Sequence, residues 1–220
     1  MALEQIELKL DPGTPVAPEV EAFVAEADRR VDELFATERN RQVPRYLPSD
    51  AQLFHRGLAE VKERGLALGE VFCELGSGFG IAAGIAALLG YEAYGIEIEP
   101  ELVERSSQLA TDMGVGSTII QSSYIPYGYE GFTGVGGDEL LEPGDFPFGG
   151  GEDDGPPAYE DMPVPINEID VIYVYPWPGE QEFMLDLFKA LAGDGAILLA
   201  YYGEGELCAY RQVLDSGRFG

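Results

Sequence analysis

Apolar residues recur along the chain with two different spacings. Over residues 19–38 they return every three or four positions, which is the period of an amphipathic α-helix. A second helix is predicted after Ser49 or Asp50, because either side chain can cap a helix N-terminus. Residues 4–10 alternate polar and apolar side chains and predict a strand. We therefore assign residues 1–69 to an N-terminal extension with one strand and two helices.

From residue 70 onward, short apolar runs alternate with helical segments. Strands are predicted at residues 71–75, 91–98, 117–121, 169–175 and 195–202, and helices at residues 81–90, 100–113, 180–192 and 204–215. Strands and helices that alternate with short connections are typical of a parallel sheet with right-handed crossovers. The predicted fold class for residues 70–220 is therefore α/β, with a doubly wound, mostly parallel sheet.

Residues 124–168 interrupt the alternation. They are rich in Gly and Pro, show no period, and hold nine acidic residues between Asp138 and Asp161 without one basic residue. We expect an acidic insertion where a helix would normally cross the sheet. Two interpretations stay open, namely a surface that attracts a cationic substrate and a loop that only keeps the protein in solution.

The formal net charge of −27 at pH 7 argues against non-specific nucleic-acid binding, because a polyanion would be repelled. A protein adapted to salt would show the same charge without any partner. No apolar run is long enough to cross a membrane, and the N-terminus does not look like a secretion signal. Two cysteines, Cys73 and Cys208, suit a reducing compartment. We therefore expect a cytoplasmic protein.

The single histidine narrows the possible chemistry. A metal site with several histidines cannot be built, and a Ser-His-Asp triad would need His55. His55 lies in a charged helical stretch, so a surface or capping role is predicted for it. No metal is expected.

The run Glu74–Gly80, Glu-Leu-Gly-Ser-Gly-Phe-Gly, is the strongest motif in the sequence. Its glycines permit a tight turn between a strand and a helix and let a ligand approach the backbone. The N-terminus of the next helix offers free N–H groups and a partial positive charge to a carboxylate or phosphate. The spacing G-x-G-x-G differs from the dinucleotide pattern G-x-G-x-x-G.

Glu97 stands seventeen residues after Gly80, at the end of the second strand of this region. A carboxylate there can accept hydrogen bonds from both ribose hydroxyls of a nucleoside. The alternative is a solvated glutamate at a strand end. Its place after the glycine turn favours the ribose role.

The segments Phe72–Gly80 and Tyr94–Val103 resemble class I methyltransferases that use S-adenosylmethionine (SAM). The resemblance is close over residues 70–123 and loose over residues 169–202. It implies a Rossmann-like sheet, SAM as cofactor, and methyl transfer as the activity. The same runs are similar to seven-strand protein-lysine methyltransferases, which suggests a lysine or another amine as the acceptor.

The resemblance also implies roles by position. The methionine end of SAM would be surrounded by Glu74, Gly76, Ser77, Gly78 and Gly80. Glu97 would hold the ribose, and Ile98 would pack on the adenine. Ser122 and Ser123 stand where the family often has an aspartate that accepts from the adenine amino group, so this sequence departs from the pattern there.

Tyr175 and Trp177 follow the fourth strand, where the family places residues that face the substrate. Their segment matches the Asp-Pro-Pro-Tyr type motif of amino methyltransferases in position but not in letter. A tyrosine can accept a hydrogen bond from an amine, and aromatic walls can hold a cation. We predict Tyr175 and Trp177 as catalytic residues. The alternative is that they only pack at the strand end.

The family sheet has seven strands and ends in an antiparallel hairpin. Only a helix and a short tail are predicted after the fifth strand, so the last two strands are expected to be missing. The free sheet edge would then need a cover, from residues 4–10 or from a second chain. The sequence sets neither the oligomeric state nor the acceptor.

Three functions stay open at this point. The first is a SAM-dependent methyltransferase. The second is a SAM-binding protein without methyl transfer, which the missing strands and the altered segment around Tyr175 would suit. The third is a nucleotide-binding oxidoreductase, which the glycine spacing argues against.

Overall fold

The computed structural model describes residues 2–36, 49–126, 129, 159 and 161–213. Its elements in chain order are β1 (Ala2–Ile6), α1 (Pro18–Ala36), α2 (Ala51–Glu63), β2 (Val71–Leu75), α3 (Ile81–Leu88), β3 (Glu92–Glu97), α4 (Pro100–Met113), β4 (Ser117–Gln121), β5 (Val171–Val174), α5 (Gln181–Leu191), β6 (Ile197–Gly203) and β7 (Glu206–Val213). A short 3₁₀ turn, Ile166–Glu168, precedes β5. Most of the predicted acidic insertion, residues 124–168, lies outside the described residues.

The seven strands form one sheet in the order β1-β7-β6-β5-β2-β3-β4. The five strands from β6 to β4 are parallel to one another, and β7 is antiparallel to both of its neighbours. The chain winds outward from β2 in one direction and from β5 in the other. Ligands of such sheets bind beyond the carboxyl ends of the strands, at the place where the order reverses. The predicted α/β class with a mostly parallel sheet is confirmed.

The predicted helix over residues 204–215 is wrong, because the chain turns back as a hairpin. Glu204 and Gly205 both have positive φ, 50° and 81°. A two-residue turn of this kind matches the twist of antiparallel strands and brings β7 back onto β6. Along β7, Leu207 and Ala209 point into the core.

The expected truncation of the sheet is also wrong, because two further strands follow β6 in space. The first is β7, and the second is β1, which comes from the opposite end of the chain. The register runs from Ala2 opposite Val213 to Ile6 opposite Ala209. The strand predicted at residues 4–10 is therefore a strand at 2–6 that covers one edge of β7.

Helices α1 to α4 pack on one face of the sheet, and α5 packs on the other. The approach of α1 to α3 depends on Gly84, since a Cβ there would lie 2.1 Å from Cζ of Phe23. Gly57 similarly lets α2 meet Leu207. As a result, β1, α1 and α2 share one sheet and one core with the elements that follow residue 70. Within the described ranges, no helix combines the length and apolar character that a membrane crossing needs.

The predicted cap of α2 is confirmed at Asp50, whose Oδ1 accepts a hydrogen bond of 2.9 Å from the amide of Leu53. The surface or capping role predicted for His55 is wrong. His55 is only 3% exposed, and its Nδ1 has no hydrogen-bond partner in the described part of the chain. Burial, aided by the charge of Arg56, lowers its pKa.

Candidate cofactor and acceptor site

The turn between β2 and α3 is bound to the neighbouring strand through its backbone. The amides of Gly76 and Ser77 both donate to the carbonyl of Ile96 in β3, at 2.9 and 2.8 Å. Gly76, Gly78 and Gly80 have φ values of 73°, 53° and 67°. This left-handed region is costly for residues with a side chain, so the turn depends on its three glycines.

Two of these glycines face different surroundings. A Cβ built on Gly76 would meet no described atom within 4 Å, whereas one on Gly80 would lie 3.0 Å from Cδ1 of Ile119. Gly80 is therefore packed inward. Gly76 presents bare backbone to open space, which is where a ligand could approach the main chain.

Glu97 ends β3 with its carboxylate turned into this turn. Its Oε2 accepts from the amide of Gly78 at 2.7 Å, and its Oε1 accepts from the amides of Ile98 and Glu99 at 2.8 and 2.9 Å. It is 6% exposed, so it is not a solvated strand-end residue. Burial raises its pKa, and the three amides oppose that shift. An ionised carboxylate has about four acceptor positions, so the three amides leave capacity for a hydroxyl.

Glu74 is a second buried carboxylate beside the turn. It is 6% exposed, and its Oε2 accepts from the amide of Ala83 in the first turn of α3 at 3.0 Å. Burial raises the pKa of Glu74 to about 8, with a further contribution from the charge of Glu97 and opposition from the Ala83 amide. A cationic ligand group beside Glu74 would favour its ionised form.

Ser77 fills the gap between the turn and β3. An added Cβ on Gly95 would lie 2.7 Å from Cβ of Ser77, so these two small residues fit each other closely. Ser77 is 4% exposed, and its Oγ has no hydrogen-bond partner among the described residues. Buried hydroxyls without a partner are uncommon, and this one lies in the predicted cofactor turn.

The end of β4 lies beside Glu97, because the amide of Ser122 donates to the carbonyl of Glu97 at 2.9 Å. The Ser122 hydroxyl donates to the carbonyl of Ser123, and Oγ of Ser123 accepts from the amide of Ile125 at 3.1 Å. Ile98 is half-buried next to them. The structure brings the three residues together, and their contact with adenine stays a prediction.

Tyr175 lies beside the glycine turn, because Leu75 pairs with Val174 and the next residues of both strands leave the sheet together. Its ring centroid is 4.8 Å from that of Tyr201 on β6. Trp177 is half-buried two residues further along. Both predicted residues thus lie at the carboxyl edge of the sheet, and Tyr175 is near the Gly76 backbone.

The sequence interpretation missed Glu180 and Tyr124, which join the loops after β4 and β5. Glu180 is 4% exposed. One of its oxygens accepts from the amide of Trp177 at 3.3 Å, and the Tyr124 hydroxyl lies 3.4 and 3.5 Å from its two oxygens. The run Trp177–Glu180, Trp-Pro-Gly-Glu, contains a turn signal, but nothing in it distinguishes this glutamate from a surface residue.

Comparisons with known proteins bear on the fold of this chain. No family model matches the chain. It is 47% identical over 49 residues to protein-L-isoaspartate O-methyltransferase 2 of Anaeromyxobacter sp. (strain Fw109-5), a match that covers 22% of this chain and 20% of that protein. The match thus spans about a fifth of the relative's length.

Two crystal structures are similar over most of the chain. One is an RNA methyltransferase from Salinibacter ruber in complex with S-adenosyl-L-homocysteine, at 16% identity and a TM-score of 0.50, covering 79% of this chain and 98% of that one. The other is a methyltransferase from Geobacter sulfurreducens, at 13% identity and a TM-score of 0.51, covering 92% and 94%. The chain has the Rossmann-like class I methyltransferase fold.

In this methyltransferase fold, the turn Gly76–Gly80 follows β2, and Glu97 closes the adjacent strand β3. These are the two positions from which the resemblance assigns contacts to SAM. The seven-strand sheet is complete, although its outermost strand, β1, comes from the start of the chain.

Proposed function

We propose that this protein is a SAM-dependent methyltransferase. The observation that carries the proposal is the pairing of bare backbone at Gly76 with the buried carboxylate of Glu97, which is bonded to the same turn through the Gly78 amide. Glu74, Gly76, Ser77, Gly78 and Gly80 would surround the methionine end of SAM. Glu97 would hold the ribose, and Ile98, Ser122 and Ser123 would face the adenine.

SAM, when bound, supplies a methyl group on a positively charged sulfur. The chain's own task is to hold that group in line with a nucleophile and to exclude water, which is catalysis by proximity and orientation. Tyr175, beside Gly76, and Trp177 would line the side of the site where the methyl acceptor binds. Their rings suit an acceptor that is cationic before it loses its proton.

We propose an amine, such as a protein lysine, as the acceptor class. The net charge of −27 would draw a cationic substrate toward the protein. A lysine ammonium group, with a pKa of about 10.4, must lose its proton before it attacks the methyl group. Burial among aromatic side chains lowers that pKa. The acidic insertion would raise it, so capture of the cation is the role that suits the insertion.

The partial match to an isoaspartate O-methyltransferase favours a second candidate, a carboxyl acceptor. The two chemistries differ in the product. A methyl ester is cleaved by mild alkali and a methylamine is not.

The experiment is to incubate the purified protein with SAM labelled in its methyl group and a cell lysate, and then to treat the labelled products with mild alkali. Alkali-stable label supports the amine acceptor, and label released as methanol supports the carboxyl acceptor. Binding of SAM without any transfer would favour the alternative of a SAM-binding protein without activity. Binding of NAD in place of SAM would favour an oxidoreductase. We also place the protein in the cytoplasm, which fractionation of the native cells would test.

A further inference from the structure

Glu180 occupies a central position between two loops at the carboxyl edge of the sheet. One loop follows β4 and carries Tyr124, and the other follows β5 and carries Trp177. The carboxylate of Glu180 is within hydrogen-bonding distance of both. A side chain that is 4% exposed and holds two loops at once restricts their separation.

The contact with Trp177 is reciprocal. The amide of Glu180 donates to the carbonyl of Trp177 at 2.9 Å, and the amide of Trp177 donates back to the Glu180 carboxylate at 3.3 Å. Between them, Gly179 has a φ of 97°. Pro178 followed by a glycine at positive φ is the pattern of a type II turn. The Glu180 carboxylate therefore adds a second hydrogen bond across the turn and restricts the position of the Trp177 backbone.

The contact with Tyr124 continues to a third segment. The Tyr124 hydroxyl is shared between both Glu180 oxygens, and the Tyr124 carbonyl accepts a 2.6 Å bond from the hydroxyl of Tyr159. Tyr159 is 6% exposed and packs in the core beneath α5. Hydrogen bonds thus connect Tyr159 in the core, through Tyr124 and Glu180, to Trp177 at the aromatic edge of the site, formed by Tyr175 and Trp177.

We propose that Glu180 is a positioning residue that sets the acceptor pocket by holding the Trp177 backbone against Tyr124. The proposal rests on the proposed function, because it takes the aromatic edge as the acceptor side. Trp177 is placed by hydrogen bonds that a glutamine at position 180 can also make, since its carbonyl accepts from an amide and its amino group donates to a phenol oxygen. An alanine can make neither.

The test uses the fact that Trp177 is the chain's one tryptophan, so its fluorescence reports this loop directly. Glu180→Ala, Glu180→Gln and Tyr124→Phe are compared with Glu182→Ala, a control that removes an exposed glutamate from the first turn of α5. Hydrogen exchange is followed in the peptide around Trp177, where Pro176 and Pro178 contribute no amide hydrogens. SAM affinity and methyl transfer to the labelled lysate fraction are measured on the same samples.

In Glu180→Ala we expect a red-shifted emission, amide exchange at least tenfold faster, and transfer at least tenfold slower, with SAM affinity within twofold of wild type. Glu180→Gln should restore all of these, and Tyr124→Phe should shift the emission part of the way. Wild-type emission and exchange in Glu180→Ala, or no rescue by Glu180→Gln, would overturn the proposal. If Glu180→Ala does not fold, Tyr124→Phe and Glu180→Gln decide it by the same readouts. A wild-type protein that does not bind SAM would instead refute the proposed function, and this failure is distinct because it does not involve position 180.

Discussion

The amide of Gly78 and the carboxylate of Glu97 meet at 2.7 Å, so one buried side chain joins the turn after β2 to the end of β3. The same carboxylate also accepts from the amides of Ile98 and Glu99. Glu97 therefore shapes the turn through three backbone amides, and its carboxylate keeps capacity for one further hydrogen-bond donor.

Glu97→Ala should weaken SAM binding by roughly 1–3 kcal/mol, because hydrogen bonds to a charged acceptor are lost. It should also lower Tm, since three backbone amides lose their partner. Titration calorimetry and thermal melting measure the two effects. Glu104→Ala, which removes an exposed glutamate on α4, is the matched control and should change neither. Wild-type SAM affinity in Glu97→Ala would refute the ribose assignment.

Gly76→Ala should abolish SAM binding because a methyl group would occupy the space in front of the turn. Gly114→Ala is a matched control, since Gly114 has a similar φ of 66° and an equally open Cβ position at the end of α4. Each substitution should cost about 1–2 kcal/mol of stability from the left-handed backbone. The two variants should therefore melt at similar temperatures and differ only in SAM affinity. Equal SAM affinity in both would show that no ligand approaches Gly76.

Glu74→Gln should change how stability depends on pH. The folded-state pKa of Glu74 is raised from 4.5 to about 8, so the folded protein favours the protonated form. That contribution to stability is complete below about pH 4.5 and is lost as the pH rises toward 8, at most about 4–5 kcal/mol in all. Glu74→Gln, which is always neutral, should therefore gain stability over wild type as the pH rises. Parallel denaturant unfolding curves from pH 5 to 8 measure the difference, and a constant difference would contradict it.

His55→Leu should change the pH dependence of stability in the direction opposite to Glu74→Gln. Burial lowers the pKa of His55, so its contribution to stability is present above the unfolded pKa of 6.5 and is lost as the pH falls. Wild type should lose stability relative to His55→Leu between pH 7 and pH 5. The difference between the two proteins isolates His55 from Glu74, because Glu74 is present in both. A pH-independent difference would mean that His55 does not titrate in the folded state in this range.

The sequence predicts the helices and the five parallel strands well, because local signals define them. Glycine and proline mark the ends of α4, and Asp50 caps α2. The antiparallel strand β7 is predicted less well. A helix was predicted where β7 lies, since the turn at Glu204 needs a left-handed non-glycine residue that propensity disfavours.

Long-range pairing and burial explain the remaining differences. The place of β1 beside β7 joins residues more than 200 positions apart, which no local pattern specifies. His55 and Glu180 are polar residues in helical or turn sequence, and only the packed fold shows that both are buried. The candidate cofactor residues could be predicted because glycines and a strand-end carboxylate have a recognisable spacing, whereas the contacts of Glu180 join loops that are distant in sequence.

The most direct test of the central claim is calorimetric titration of the purified wild-type protein with SAM, with S-adenosylhomocysteine and NAD titrated in parallel. The arrangement of Gly76 and Glu97 predicts saturable binding of one SAM per chain, similar binding of S-adenosylhomocysteine, and none of NAD. No heat of binding with SAM at millimolar concentration would contradict the account.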